Sequence, residues 1–148
     1  MREKSLQEVY DEFCASGEYV TKEVDINSIR KMMSITQEDL EYLEFLLKQK
    51  TINWRIIYTL HYDILRSLCE ALIQSDGMKV SNHQETFAYV CIKHPQLEFD
   101  WNFFEKIRTA RNRNKYEGKD IFKNDWKEID IQMKLYIDTL IKSVKEVI

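Results

Sequence analysis

Apolar side chains recur at steps of three and four residues through most of this chain, the spacing that lays one stripe along one face of a helix. Leu6, Val9, Tyr10 and Phe13 mark a short amphipathic helix over Ser5 to Ala15, which Ser16-Gly17 ends. Glu18 to Asn27 reads as a charged connector, a loop or a brief extended piece, with Val20, Val24 and Ile26 as anchor points. From Ser28 the helical pattern resumes through Ile29, Met32, Met33, Leu40, Leu43 and Leu47 to about Gln49. Thr36 precedes Gln37-Glu38-Asp39 and has the chemistry of a cap, so this segment fits one helix or two with a break near Ser34.

Trp54 to Gln74 carries the widest apolar stripe: Ile57, Leu60, Ile64, Leu65, Leu68, Cys69 and Leu72. A helix this apolar belongs at the centre of a bundle, and Asp76-Gly77 stops it. Phe87, Val90 and Cys91 define the next helix, Asn82 to Lys93, with Ser81 or Asn82 as cap and Pro95 as terminator. A further helix runs from Trp101 towards Gly118. A last one, capped at Asn124 or Asp125, carries Trp126, Ile129, Met133, Tyr136, Ile137, Leu140, Ile141 and Val144 to the C-terminus. The expected fold is all-α: an antiparallel up-and-down bundle of five to six helices, in one domain spanning residues 1–148.

The chemistry concentrates in Trp101–Gly118, reading WNFFEKIRTARNRNKYEG. Turned at about 100° per residue, Phe103, Ile107 and Ala110 fall on a core stripe. Arg108, Arg111, Asn112 and Lys115 share a flank with Trp101 and Phe104, Tyr116 closes the run, and Arg113 points the other way, towards water. Guanidinium groups beside an apolar seam are costly unless paired, and their planar fork matches phosphate. Two readings follow. The flank is a phosphate- or RNA-binding cleft, or it is a solvated face whose arginines pair with Glu105, Glu117 or carboxylates elsewhere.

Composition narrows the choice. Charged residues make up 32% and apolar residues 44%, which suits a folded domain and excludes disorder. Three glycines and one proline leave little room for a turn-rich β architecture. The net charge of −3 argues against a DNA-coating protein, so any nucleic-acid contact must come from a local patch. Cys14, Cys69 and Cys91 are odd in number and far apart, which fits free thiols in a reducing compartment, the cytoplasm. Cys91 and His94 form a C-x-x-H without a second ligand pair, and no metal or other cofactor is expected. No stretch has membrane-spanning length. His61, alone on an apolar helix, reads as a hydrogen-bonded structural residue.

Three segments together, LHYDILRSLCEALI, DGMKVSNHQETFAYV and IRTARNRNKYEG, resemble small prokaryotic, especially archaeal, HEPN-domain proteins, over roughly Trp54 to Gly118. The resemblance implies an up-and-down α-bundle that often dimerises. Ribonuclease members of that family carry an Arg-x(4-6)-His motif, and the motifs of two protomers meet in a cleft that cuts RNA without a metal. Other members bind nucleotides or partner proteins, often a minimal nucleotidyltransferase. In a toxin–antitoxin branch the motif extends to His-x-Tyr, and the partner places AMP on that Tyr.

This chain departs from the motif at its histidine. Tyr116 stands five residues after Arg111, where a His would be, and Asn114 stands six after Arg108, with Tyr116 then in the trailing Tyr position. Tyr titrates near 10 and Asn does not titrate usefully, so neither shuttles a proton near pH 7. Spacing gives no support for His61 or His83 as a replacement, and His83 reads as structural, capping or dimer-contacting. Arg111-Asn112 does match the family's frequent Arg-Asn pair. The resemblance therefore implies a nucleotide- or RNA-binding module without efficient catalysis, using Arg108, Arg111, Asn112, Asn114, Lys115 and Tyr116, as a homodimer or beside a nucleotidyltransferase. Its alternatives are a metal-independent endoribonuclease and a purely protein–protein interaction module, in which Tyr116 would be the modified residue.

Overall fold

A computed structural model describes residues 3–16 and 20–148. Gly17, the expected stop of the first helix, and Glu18, the expected start of the connector, lie outside the described residues. Six α-helices form the bundle: α1 (Leu6–Ser16), α2 (Ile26–Leu47), α3 (Trp54–Ser75), α4 (His83–Lys93), α5 (Trp101–Glu117) and α6 (Lys123–Val147). A single turn of 3-10 helix, Pro95–Leu97, links α4 to α5. Two short strands, β1 (Val20–Thr21) and β2 (Met78–Lys79), pair antiparallel and tie the segment before α2 to the loop after α3. Gly77 sits at φ 77° in that loop and its carbonyl accepts from Lys22 N at 2.8 Å, a backbone shape that suits glycine. None of the helices among the described residues is long and apolar enough to cross a membrane.

The central helix is α3. It packs against α2 and α6, and also against α4 and α5, so its apolar residues are covered from several directions. Ile57, Ile64, Leu65, Leu68, Cys69, Ala71, Leu72 and Ile73 are all buried. Asn53 caps its start by accepting from Ile56 N at 3.1 Å. At its end Asp76 accepts from the Tyr89 hydroxyl and from His94 Nε2, which locks α4 and the following turn onto the α3 terminus. His94 Nε2 is thereby held by Asp76, and no group of three metal-capable His, Cys, Asp or Glu side chains occurs among the described residues.

The structure decides one open alternative about helix ends and corrects one expectation. The segment from Ile26 to Leu47 is one unbroken helix, capped by Asp25, and Thr36 starts nothing. Ile26, Ile29, Met33, Thr36, Leu40, Leu43 and Leu47 step alternately by three and four residues, a coiled-coil seam laid on α3. Thr36 is buried in that seam at 4% exposure; its hydroxyl had the look of a cap, but its position is interior. The final helix begins at Lys123, which places Asn124 and Asp125 inside its first turn. Asp125 still closes the end, because its Oδ2 reaches back to accept from Phe122 N at 2.7 Å.

An aromatic cluster fixes α5 against its neighbours. Phe87 stacks on Phe104 with ring centroids 4.5 Å apart, and Tyr62 meets Phe87 edge-on at 5.8 Å. Phe99 and Phe103 pack on Tyr136 of α6, whose hydroxyl accepts from Asp100 N at 2.7 Å at the start of α5. Gly118 ends α5 in the left-handed region, at φ 66°. Truncating the fully buried Phe87 to Ala would leave a cavity between α3, α4 and α5. Phe87→Ala is expected to lower unfolding free energy by about 3–5 kcal/mol in urea titration, and a loss under about 1 kcal/mol would show that this cluster does not hold α5.

Candidate cationic site between the third, fourth and fifth helices

The geometry of α5 splits its basic residues between two flanks. Arg108, Arg111 and Asn112 are half-buried on the side facing α3 and α4, whereas Arg113 is exposed on the other side. Arg108 makes a two-pronged ion pair with Glu105, at 3.0 and 2.9 Å, and Gln84 of α4 donates to the same carboxylate. For this one arginine, the solvated-face reading named the right partner. Glu117, the other carboxylate named with it, is exposed and makes no ion pair among the described residues.

Arg111 has a different environment. Its guanidinium lies 5.5 Å from the Tyr62 ring centre, a cation–π contact, and it donates a long bond of 3.4 Å to Asn112 Oδ1. No carboxylate lies within ion-pair distance of Arg111 or Lys115 among the described residues. Asn114 turns elsewhere: its amide donates to Lys119 O at 2.9 Å and holds the loop that follows α5. Tyr116 is 72% exposed, with Lys115 Nζ 5.5 Å from its ring centre. The structure therefore brings Arg108, Arg111, Asn112 and Lys115 to one side, gives Asn114 a structural hydrogen bond, and leaves Tyr116 in solvent.

Two residues that sequence spacing did not connect to this site complete it. Arg66 of α3 pairs with Glu70 at 2.8 Å, but its Nε is buried without a hydrogen-bond partner. His83, the first residue of α4, shares a 3.1 Å hydrogen bond with the Tyr62 hydroxyl through Nδ1. Its pKa is lowered to about 4, first by desolvation and then by the positive charges of Arg66, Arg111, Lys115 and Arg108. Burial holds the Tyr62 hydroxyl well above its usual range, against the pull of Arg111, Arg108 and Arg66, and the nearby Asp63 adds a smaller upward push. Four cations from two helices thus surround a neutral His–Tyr pair, with Glu70 and Glu105 as their ion-pair partners. No spacing in the sequence connects His83 to these arginines; its place follows from how α4 packs on α3 and α5.

His61 behaves as a core residue. It is 3% exposed, its ring lies 4.2 Å from Trp126, and Nδ1 donates to Ile57 O at 2.7 Å, which fixes the tautomer. Burial lowers its pKa to about 4.

On the opposite flank of α5 lies a cleft of about 670 Å³ whose walls include Tyr58, Trp101, Thr109, Ala110 and Arg113. Trp101, expected on the flank of Arg108 and Arg111, lines this concavity instead, and Arg113, exposed as expected, borders it, while Arg108 and Arg111 lie on the far side of the same helix.

Compared with protein-family models, curated proteins and solved structures, the chain matches none of them.

The depressed histidines make stability depend on pH with a definite sign. Between about pH 4 and 6.5 the unfolded chain binds more protons than the folded one, so stability rises with pH across that window and is lost as pH falls through it. For His61 the full loss, reached only below its folded pKa, is roughly 3 kcal/mol. Urea midpoints should fall as pH drops through this range. His61→Phe, which keeps a ring against Trp126 and takes up no proton, should flatten the curve; an unchanged pH dependence would contradict this assignment.

Proposed function

We propose that the surface formed by Arg66, His83, Arg108, Arg111 and Lys115 binds a phosphate of a nucleotide or of RNA, in a HEPN-like module without efficient catalysis. The observation that carries the reading is the charge imbalance around His83. Arg66 and Arg108 each have a carboxylate, whereas Arg111 and Lys115 have none and lie near enough to depress the imidazole. A dianionic phosphate placed there would satisfy Arg111 and Lys115 and relieve their mutual repulsion. Tyr62 holds Arg111 from one side by its ring, which leaves the guanidinium edge available to an oxygen ligand. Tyr116, exposed beside Lys115, would stack on a base or be reached by a modifying partner such as a nucleotidyltransferase. All the phosphate-facing groups come from one chain, so this reading does not require the two-protomer cleft that the family resemblance implies.

A second reading, a metal-independent endoribonuclease, is favoured by one specific observation: an imidazole sits among the cations after all. Free His83 is too weak a base for work near neutrality. Bound phosphate would offset the surrounding positive charge and move the imidazole towards its ordinary range, where it can accept a 2′-hydroxyl proton.

Titration of a labelled short RNA at low salt separates these readings. Arg111→Ala is expected to weaken binding by about ten- to hundredfold and to reduce its salt dependence, whereas Arg113→Ala, on the other flank, should change it by no more than about twofold. Equal affinity for wild type and Arg111→Ala would overturn the site. RNA recovered from the same mixtures in EDTA should be intact between about pH 6 and 9; cleavage that disappears in His83→Ala would establish the ribonuclease reading instead.

A further inference from the structure

The cleft on the other flank of α5 has features that the phosphate site does not use. It lies between the chain before α1, the outer face of α5, and the loop that leads into α6. At about 670 Å³ it is large enough to take a small molecule whole.

Its deep and shallow parts differ in charge. Tyr58, Trp101 and Ile121 are the buried residues of its lining; the charged residues at half-buried depth are Glu105, already held by Arg108 and Gln84, and Asp125, which has no ion-pair partner among the described residues. The cations stand at the exposed rim. Lys4 and Lys106 are already paired there, with Glu12 and Glu128, while Arg113 and Lys119 extend into solvent. An anion would meet favourable charge only at the mouth and the unpaired Asp125 carboxylate further in.

The buried floor also holds an unused hydrogen-bonding group. Tyr58 is 1% exposed, and its hydroxyl makes no hydrogen bond among the described residues. Every other buried tyrosine of the bundle has a hydroxyl partner: Tyr62 has His83, Tyr89 has Asp76, and Tyr136 has Asp100 N. The hydroxyl itself is not fully enclosed in the core, so it is open to the cleft, where a ligand can reach it. Asp125 uses one oxygen for Phe122 N and leaves the other without a partner among the described residues. Burial and the carboxylates of Asp125 and Glu128 keep the Tyr58 hydroxyl protonated at all physiological pH.

We propose that this cleft binds a small organic cation, a primary amine on an aliphatic chain, with its ammonium group between the Tyr58 hydroxyl and Asp125. An ammonium carries three donors and no acceptor, which suits a phenol oxygen and an unpaired carboxylate oxygen together. Its methylene chain would lie along Trp101, Ala110 and Ile121. A metal ion does not fit, because no three His, Cys, Asp or Glu side chains converge among the described residues. The inference does not use the phosphate-facing groups; the two surfaces share only Glu105, the ion-pair partner of Arg108.

Spermidine, which carries two primary ammonium groups, is the probe. In a proton–nitrogen NMR titration at constant ionic strength it should shift the Trp101 indole N–H and the Thr109 and Ala110 amides saturably. Tyr58→Phe should weaken that binding by roughly two- to tenfold, the worth of one hydrogen bond. Ala110→Leu, a half-exposed position whose enlargement fills the cleft, should abolish it and tests the site even if Tyr58→Phe fails to fold. Absence of a saturable shift at Trp101, equal affinity in both variants, or preferential shifts with inorganic phosphate would each overturn the proposal.

Discussion

The constraint from which the rest follows is the enclosure of α3. Its apolar residues run around most of its circumference, so no single partner can cover them, and α2, α4, α5 and α6 all pack against it. Burying side chains such as Leu65, Leu68 and Leu72 stabilises the fold by about 1.5–3 kcal/mol each before conformational entropy is charged against it. Enclosure also dictates what happens to the polar groups on α3. His61 is turned into the core and kept neutral against Trp126. Tyr62 and Arg66, one turn apart, emerge where α4 and α5 converge, and there they must be satisfied by whatever those helices present.

What they present is mostly positive charge. The Phe87–Phe104 stack and the anchoring of Asp100 by Tyr136 set the rotation of α5 about its axis. That rotation sends Arg108, Arg111 and Lys115 towards α3 and α4, and sends Thr109 and Arg113 towards the cleft on the opposite flank. One helix therefore borders two chemically distinct surfaces. On one, cations outnumber their carboxylate partners; on the other, the unpaired deeper charge is the Asp125 carboxylate, and the Tyr58 hydroxyl has no hydrogen-bond partner among the described residues. Both surfaces depend on the same aromatic packing.

Much of this was legible in the sequence, and the reasons for the gaps are physical. The stripe from Ile57 to Leu72 identified the central helix because burial on several sides requires apolar residues on several sides. Asn82 and Asp76-Gly77 marked ends because caps and left-handed turns demand particular side chains, whereas the Asn53 cap of α3 went unread. The inward flank at Arg108 and Arg111 followed from helical periodicity alone. Thr36 misled because a hydroxyl can cap a helix or sit in a seam, and only the partner helix decides. His83 was beyond reach for a related reason: its distance from Arg111 along the chain says nothing about how α4 packs on α5. The cleft beside Arg113 depends on the route of the loop into α6, which local patterns do not encode.

The binding assignment depends on whether the positive charges around His83 form a site for phosphate. The imidazole itself reports on this, because it feels all four cations. Its titration, followed by NMR of the ring nitrogens, should have a midpoint near 4 in the free protein, and the midpoint should rise by about one unit or more when AMP is added to saturation. A midpoint that stays where it was with AMP present would mean that no phosphate enters among Arg66, Arg108, Arg111 and Lys115, and the binding assignment would fail.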